Sequence, residues 1–226
     1  FMKVLMWGGN SQCRICIEMI REIYGRKAKI IGIVDPYIES LPFDSQIEFH
    51  GNCKQLGELL KEATHYIICI GGEHGYARHQ ISNIFLGQGL KPVDLISKTA
   101  ILDSVDTIKS GLQAMAGAIV HKFATLGEQC IINTNSTVNH ECNLGDGCHV
   151  MGGASIGGRV SIGNYCSIGM NATILPDIKI GNHVYVGAGA VITKDVRSRT
   201  VVAGVPARFI RPFNPSFDSM PFNGIL

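Results

Sequence analysis

The sequence predicts a chain in two parts, a small α/β domain with a parallel sheet followed by a parallel β-helix. Three observations lead there. Strand-sized apolar runs alternate with helix-period stretches over residues 1–100, a six-residue repeat runs through residues 101–200, and residues 201–226 abandon that repeat as a C-terminal extension.

Within the first part, residues 3–7 form an apolar run of strand length, and Gly8, Gly9, Asn10 and Ser11 make a turn that permits tight backbone geometry. Residues 13–24 carry Ile15, Ile17, Met19, Ile20 and Ile23 at helical spacing. A second strand follows over 28–34, ending at Asp35-Pro36, then a short helix over 56–61 and a third strand over 66–70 ending at Gly71-Gly72. A helix over 77–86 and a last strand over 92–96 complete the domain. Such alternation predicts a Rossmann-like parallel sheet whose ligands bind beyond the strand carboxyl ends. Those ends carry residues 8–12, Asp35 and Gly71. The first turn lacks the second and third glycines of the dinucleotide fingerprint, which disfavours a nicotinamide cofactor. Asp35 stands about where a ribose-binding acid would, so a nucleotide of another kind remains open.

The second part obeys a different period. Every sixth residue from Leu126 through Ile132, Val138, Leu144, Val150 and onward to Ile192 is aliphatic. Four residues after each stands a mostly small, never charged residue, Cys130, Ser136, Cys142, Cys148 and Ala154 among them. Neither a helix nor a strand has this period, whereas a parallel β-helix of hexapeptides does. Each hexad supplies one short strand and one corner, three hexads make a triangular coil, and stacked coils pair about 4.8 Å apart. Fainter hexads at Val120, Ala114 and Ile108 extend the array to about five coils, or roughly 24 Å at that spacing. Gly204-Val-Pro-Ala-Arg208 reads as a turn leaving the last coil, with an extended or helical cap after it.

Composition narrows the function classes. A net charge of +2 with 17% charged residues offers neither a nucleic-acid stripe nor a polybasic membrane segment. The apolar runs fall far short of the ~20 residues a spanning helix needs. The chain opens into a strand without a charged leader and cleavage site, so the expected address is the cytoplasm. Of the eight cysteines, Cys130, Cys142, Cys148 and Cys166 occupy the small repeat position, and Cys13 and Cys16 fall in a helix without a second pair nearby. Buried, reduced thiols are therefore expected in place of disulfides or zinc.

Specific residues carry a resemblance. The stretch from Asn133 through His140-Glu141 to His149-Val150, with 187–196 and Gly204-Val-Pro-Ala-Arg208, resembles the motif of the PglD/NeuD-type sugar acetyltransferases. The likeness covers essentially the whole chain. It implies that the β-helix is left-handed and that the molecule is a homotrimer. The implied activity is transfer of acetyl from acetyl-CoA to a nucleotide-linked amino sugar, such as a UDP-, dTDP- or GDP-4-amino-4,6-dideoxy sugar. By the same resemblance His140 is the general base and Glu141 its partner, His149, Met170 and Ala188 match positions that contact acetyl-CoA, and Asn10, Ser11, Gln12, Asp35, Pro36 and Gly71 match positions that hold the nucleotide sugar. The family's first turn commonly reads Gly-Ala-Ser-Gly-His-Gly, and Asn-Ser-Gln here replaces its Ser-Gly-His. Pro36 stands where a second acid often follows, so substrate identity is where this chain departs.

The chemistry fits those residue types. An amine attacking a thioester must lose a proton, and a neutral imidazole suits that task at neutral pH. A neighbouring carboxylate favours the imidazolium and orients the ring. The oxyanion needs a donor, which His149 or a backbone N–H of an adjacent coil could supply. Attack is expected to be direct, with no essential cysteine and no metal. Plainer roles stand beside these: Asn10 and Ser11 as helix caps, His149 as a structural hydrogen-bonding group, Ala188 and Met170 as corner packing, His121 and His183 as ordinary surface residues. Only nine of the 72 residues at 126–197 are charged, as faces that bury one another would require. Three rivals share the coil. A carbonic anhydrase would need three histidines on zinc, here His121, His140 and His149. A non-catalytic binding protein would be indifferent to loss of His140, and a sugar O-acetyltransferase would use the same base on a hydroxyl.

Overall fold

The computed structural model describes residues 1–223. Two compact units divide the chain, one comprising residues 1–70, 80–95 and the tail from Phe217, the other residues 71–79 and 96–216.

The first unit is built on β1 (Met2–Trp7), α1 (Ser11–Tyr24), β2 (Ala28–Val34), β3 (Phe49–His50), α2 (Leu56–Glu62), β4 (His65–Ile68), the C-terminal part of α3 (Gly75–Gly87) and β5 (Lys91–Pro92). Its strands pair in parallel in the order β3-β2-β1-β4-β5. The order reverses between β1 and β4, so the crevice where ligands bind such sheets opens above Gly8 and Cys69. Alternation along β1 sends Leu5 and Trp7 to one face, where they pack with Tyr66, Phe85, Leu56 and Phe222. Cys69 packs instead with Cys13 and Cys16 of α1, all three buried thiols. Strand β3 has no counterpart in the sequence reading, since two residues are too few to show a period. The predicted strand over 92–96 is two elements, because Lys91–Pro92 closes this sheet and Leu95–Ile96 opens the next.

The second unit is a left-handed parallel β-helix. Two-residue strands recur every six residues from Leu95–Ile96 to Val191–Ile192, so the coil begins two hexads before Ile108. They form three parallel sheets whose partners lie 18 residues apart, as in Val120 with Val138 and Val138 with Ile156. The aliphatic column from Leu126 to Ile192 is buried along its whole length, with the small column beside it. At each corner one residue adopts positive φ, every sixth position from Gly111 to Gly189, including Glu141 at 58° and Arg159 at 60°. The coil cysteines have a polar reason to be where they are. Each thiol donates to a carbonyl on the coil above, Cys142 to Gly157 at 3.1 Å and Cys148 to Gly163 at 3.1 Å. A small apolar group that still satisfies a corner carbonyl fits this position well.

The tail is extended where it leaves the coil and ends in a short helical turn, Met220–Phe222. Thr200–Gly204 joins the last coil and pairs antiparallel with Ala207–Pro212 around a cis Val205–Pro206 bond. In the first unit, the tail puts Phe222 in a stack on Trp7 at 4.7 Å, while Asp218 accepts the Tyr37 hydroxyl at 2.9 Å.

Candidate active site

His140 and Glu141 sit at the corner that follows the strand Thr137–Val138. The positive φ of Glu141 turns the chain so that its carboxylate meets the preceding side chain, and Oε2 lies 2.9 Å from His140 Nδ1. A carboxylate accepts, so Nδ1 carries the hydrogen and Nε2 is left with its lone pair. Both side chains are about half exposed. On the next coil up, Gly158 lies directly against the ring: a Cβ there would stand 2.5 Å from Nε2 and 2.6 Å from Cε1. Beside them, Arg159 makes a bidentate pair with Asp177 at 2.7 and 2.8 Å.

His149 is a different kind of histidine. It projects from a strand face, is 4% exposed, and both nitrogens are engaged. Thr134 N–H donates to Asn133 Oδ1 at 2.7 Å, which fixes that amide and aims Nδ2 at His149 Nε2, 3.1 Å away. On the other side, His149 Nδ1–H donates to the Gly72 carbonyl at 3.1 Å. Burial first, then the Arg78 charge, lowers the imidazole pKa to about 4 against the pull of that carbonyl, so the ring is neutral at neutral pH. No N–H remains for an oxyanion. The expected donor role of His149 is therefore not met in this arrangement, which leaves the backbone alternative.

What holds Gly72 against His149 is the segment 71–79. Gly75 abuts the Gly147 carbonyl too closely for any side chain. Arg78, fully buried, donates to the carbonyls of Gln129 and Gly147 at 2.9 Å each, and burial lowers its pKa to about 10, leaving it charged. His79 bridges Glu128 Oε2 at 3.1 Å and the Tyr165 hydroxyl at 3.2 Å. His183 is no ordinary surface residue: its ring packs on Tyr165 and Tyr76, and Nδ1 is buried. The hydrogen bonds of Arg78 and His79 had no readable signal, because pairs 49 to 86 residues apart obey no local spacing.

Met170 and Ala188 are exposed and stack on one corner, where Gly189 N–H donates to the Met170 carbonyl at 2.8 Å. That corner follows the strands Ser167–Ile168 and Tyr185–Val186, whereas the His140 corner lies one sheet further along the coil. Within one copy the two corners are different edges of the triangular prism, so one coil does not bring His140 to Met170 and Ala188. A separate depression of 690 Å³ at the last coil carries Lys194, Arg197 and Arg208 and lies away from His140.

In the first unit, Asn10, Ser11 and Gln12 begin α1 beyond β1, the first two exposed. Asn10 occupies the N-cap position, yet its side chain makes no capping bond, so capping does not account for it. Asp35 is buried and ties the two loops together, accepting Gly9 N–H at 2.8 Å and Tyr37 N–H at 3.0 Å, with Pro36 half-buried between. Gly71 belongs to the other unit, and a Cβ there would meet His149 Cε1 at 3.8 Å.

Comparison with known proteins supplies the context. The family model described as bacterial transferase hexapeptide (six repeats) matches residues 141–175 and 159–194. No curated protein matches the chain in sequence. Among solved structures, a mutant of perosamine N-acetyltransferase from Caulobacter crescentus, in complex with CoA and GDP-perosamine, is 26% identical with a TM-score of 0.80, over 92% of this chain and 97% of that one. The acetyltransferase domain of PglB from Neisseria gonorrhoeae, in complex with acetyl coenzyme A, is 27% identical with a TM-score of 0.79, over 92% and 99%. WeeI from Acinetobacter baumannii shares the fold at 22% identity and a TM-score of 0.80, over 93% and 100%. The hexapeptide coil and the preceding parallel sheet are thus features in which this chain is similar to sugar N-acetyltransferases of the PglD/NeuD type.

Proposed function

We propose that this protein is an acetyl-CoA-dependent N-acetyltransferase acting on a nucleotide-linked amino sugar, with His140 as general base. One observation carries the site assignment: the 2.9 Å pair between His140 Nδ1 and Glu141 Oε2 on an exposed corner, which leaves Nε2 as the free basic atom. Nε2 takes the proton of the sugar amine as the amine attacks the thioester carbonyl. The carbon–sulfur bond then breaks, and the imidazolium returns the proton to the leaving thiolate. Glu141 holds the ring in the required tautomer and stabilises its charged form. Acetyl-CoA supplies the acyl group, and the exposed Met170–Ala188 corner, with backbone close to the surface, suits a long extended donor. His149, locked on both sides, contributes an edge of its ring and the placement of Gly72.

The first unit takes the nucleotide sugar through Asn10, Ser11 and Gln12 and the Asp35–Pro36 loop. The coil takes acetyl-CoA. Because the His140 edge and the Met170–Ala188 edge do not meet within one copy, the reading requires neighbouring copies, and a homotrimer supplies three such clefts. No helix among the described residues is long and apolar enough to cross a membrane, consistent with the cytoplasmic address we propose.

The test is a screen of GDP-, UDP- and dTDP-linked 4-amino-4,6-dideoxy sugars for thiol release from acetyl-CoA, run on the wild type and His140→Ala. The variant should keep its fold, since the ring is half exposed, and lose roughly 10² to 10⁴ in kcat. Near-wild-type turnover in His140→Ala would end the assignment of the base.

A further inference from the structure

Corner positions of this coil tolerate side chains of every size. Those equivalent to residue 158 hold Lys122 and Pro176 on the same edge, Met170 and Ala188 on another, Asn164 on the third. The coil by itself therefore does not demand glycine at 158. Backbone geometry does not demand it either, for Gly158 is absent from the positive-φ residues. Its neighbour Gly157 is different: a Cβ there would strike backbone atoms, Pro176 N at 2.7 Å and the Ile174 carbonyl at 2.9 Å. At Gly158 the three nearest atoms all belong to one ring, the His140 imidazole, and the closest is Nε2. A side chain at 158 would cover the nitrogen that the Glu141 pair leaves free.

We infer that Gly158 is a positioning residue for the transfer reaction, the seat on which the His140 imidazole rests with Nε2 uncovered. The inference builds on the reading of His140 as base. Carbon atoms in ordinary contact stand about 3.5–4.0 Å apart, so an alanine methyl must push the ring about 1 Å away from its place against Glu141. A displacement of that size in a reacting group costs about 10²-fold in rate.

Gly158→Ala tests this with two independent readouts. One is the ring's own signal in a histidine-resolved NMR spectrum of the ligand-free protein, assigned by its loss in His140→Ala. The other is the split of kcat against the KM for the sugar nucleotide and the Kd for CoA. Expected are a displaced His140 resonance, kcat reduced about 10²-fold, and CoA affinity within about twofold of wild type. An unmoved His140 resonance overturns the seat, whatever happens to kcat, and so does a loss of CoA affinity that accounts for the whole rate effect. If the reading of His140 as base fails instead, His140→Ala stays active while the resonance of the Gly158→Ala protein still moves. Should Gly158→Ala fail to fold, the same change made in His140→Ala should fold, because the obstructing ring is gone. Misfolding there as well would show that backbone geometry requires the glycine and would overturn the inference.

Discussion

At the scale of single residues, two histidines of one motif have been given opposite environments. His140 stands half in solvent beside a carboxylate, while His149 is enclosed between the Asn133 amide and the Gly72 carbonyl. The chain of donors from Thr134 through Asn133 and His149 to Gly72 runs in one direction only and works only with a neutral ring. Protonating His149 would turn Nε2 into a donor facing another donor. Its pKa falls from 6.5 to about 4 on folding, so between those values the unfolded chain binds a proton that the native state does not. Stability should therefore be complete above pH 6.5 and decline as the pH falls toward 4, by about 3 kcal/mol in all. Denaturant midpoints at pH 7 and pH 4.5 measure this, and His149→Gln, which cannot take up that proton, should flatten the dependence. An equal decline in His149→Gln would assign the acid sensitivity to other groups.

At the scale of elements, the short strands of the coil carry little information individually, and their corners set the geometry. A residue with positive φ at every corner turns the chain by a fixed amount, and the non-glycine ones, Glu141 included, accept a conformation that costs about 1–2 kcal/mol each in isolation. Repetition makes this tolerable, because each corner is held by the coil on either side. The terminal segment works by the opposite means, a single large anchor. Phe222 is fully buried, stacked on Trp7 and edge-on to Phe85 at 6.3 Å. Phe222→Ala should cost the first unit about 3–5 kcal/mol. Trp7 is the chain's single tryptophan, so fluorescence-detected unfolding reads this unit specifically. A loss under about 1 kcal/mol would mean the segment is only loosely attached.

For the whole molecule, the question is which surfaces meet. The predicted acetyl-CoA corner and the proposed base corner are separate edges of one prism, and in the proposed trimer two copies would close the cleft between them. A trimer should elute at three times 24.4 kDa. A sharper test mixes two inactive proteins, His140→Ala and an Ala188→Arg variant that obstructs the other edge, unfolded together and refolded. In mixed trimers about a quarter of the clefts combine two intact edges, so about a quarter of wild-type activity should return. Clefts built from a single copy would return none.

Much of this was legible in the chain. The hexad period specified the coil, its aliphatic axis and its small corner column, because one requirement recurs at each step and repetition lifts it above noise. The strand–helix alternation specified the parallel sheet, and His140-Glu141 stood out because adjacent residues carry their own geometry. Gly158 was half legible, since a coil of 18 residues places it directly above His140. Other features came only with the tertiary structure. Segment 71–79 fastens onto the coil through Arg78 and the His79–Glu128 pair, and His149 thereby changes from an available donor into an engaged one. Asp35 spends both oxygens joining two loops, and the tail finds Trp7 from some 215 residues away. Local order follows from local preference, which a sequence displays residue by residue. The protonation and exposure of a side chain depend on which distant atoms surround it, and only the folded chain assembles those.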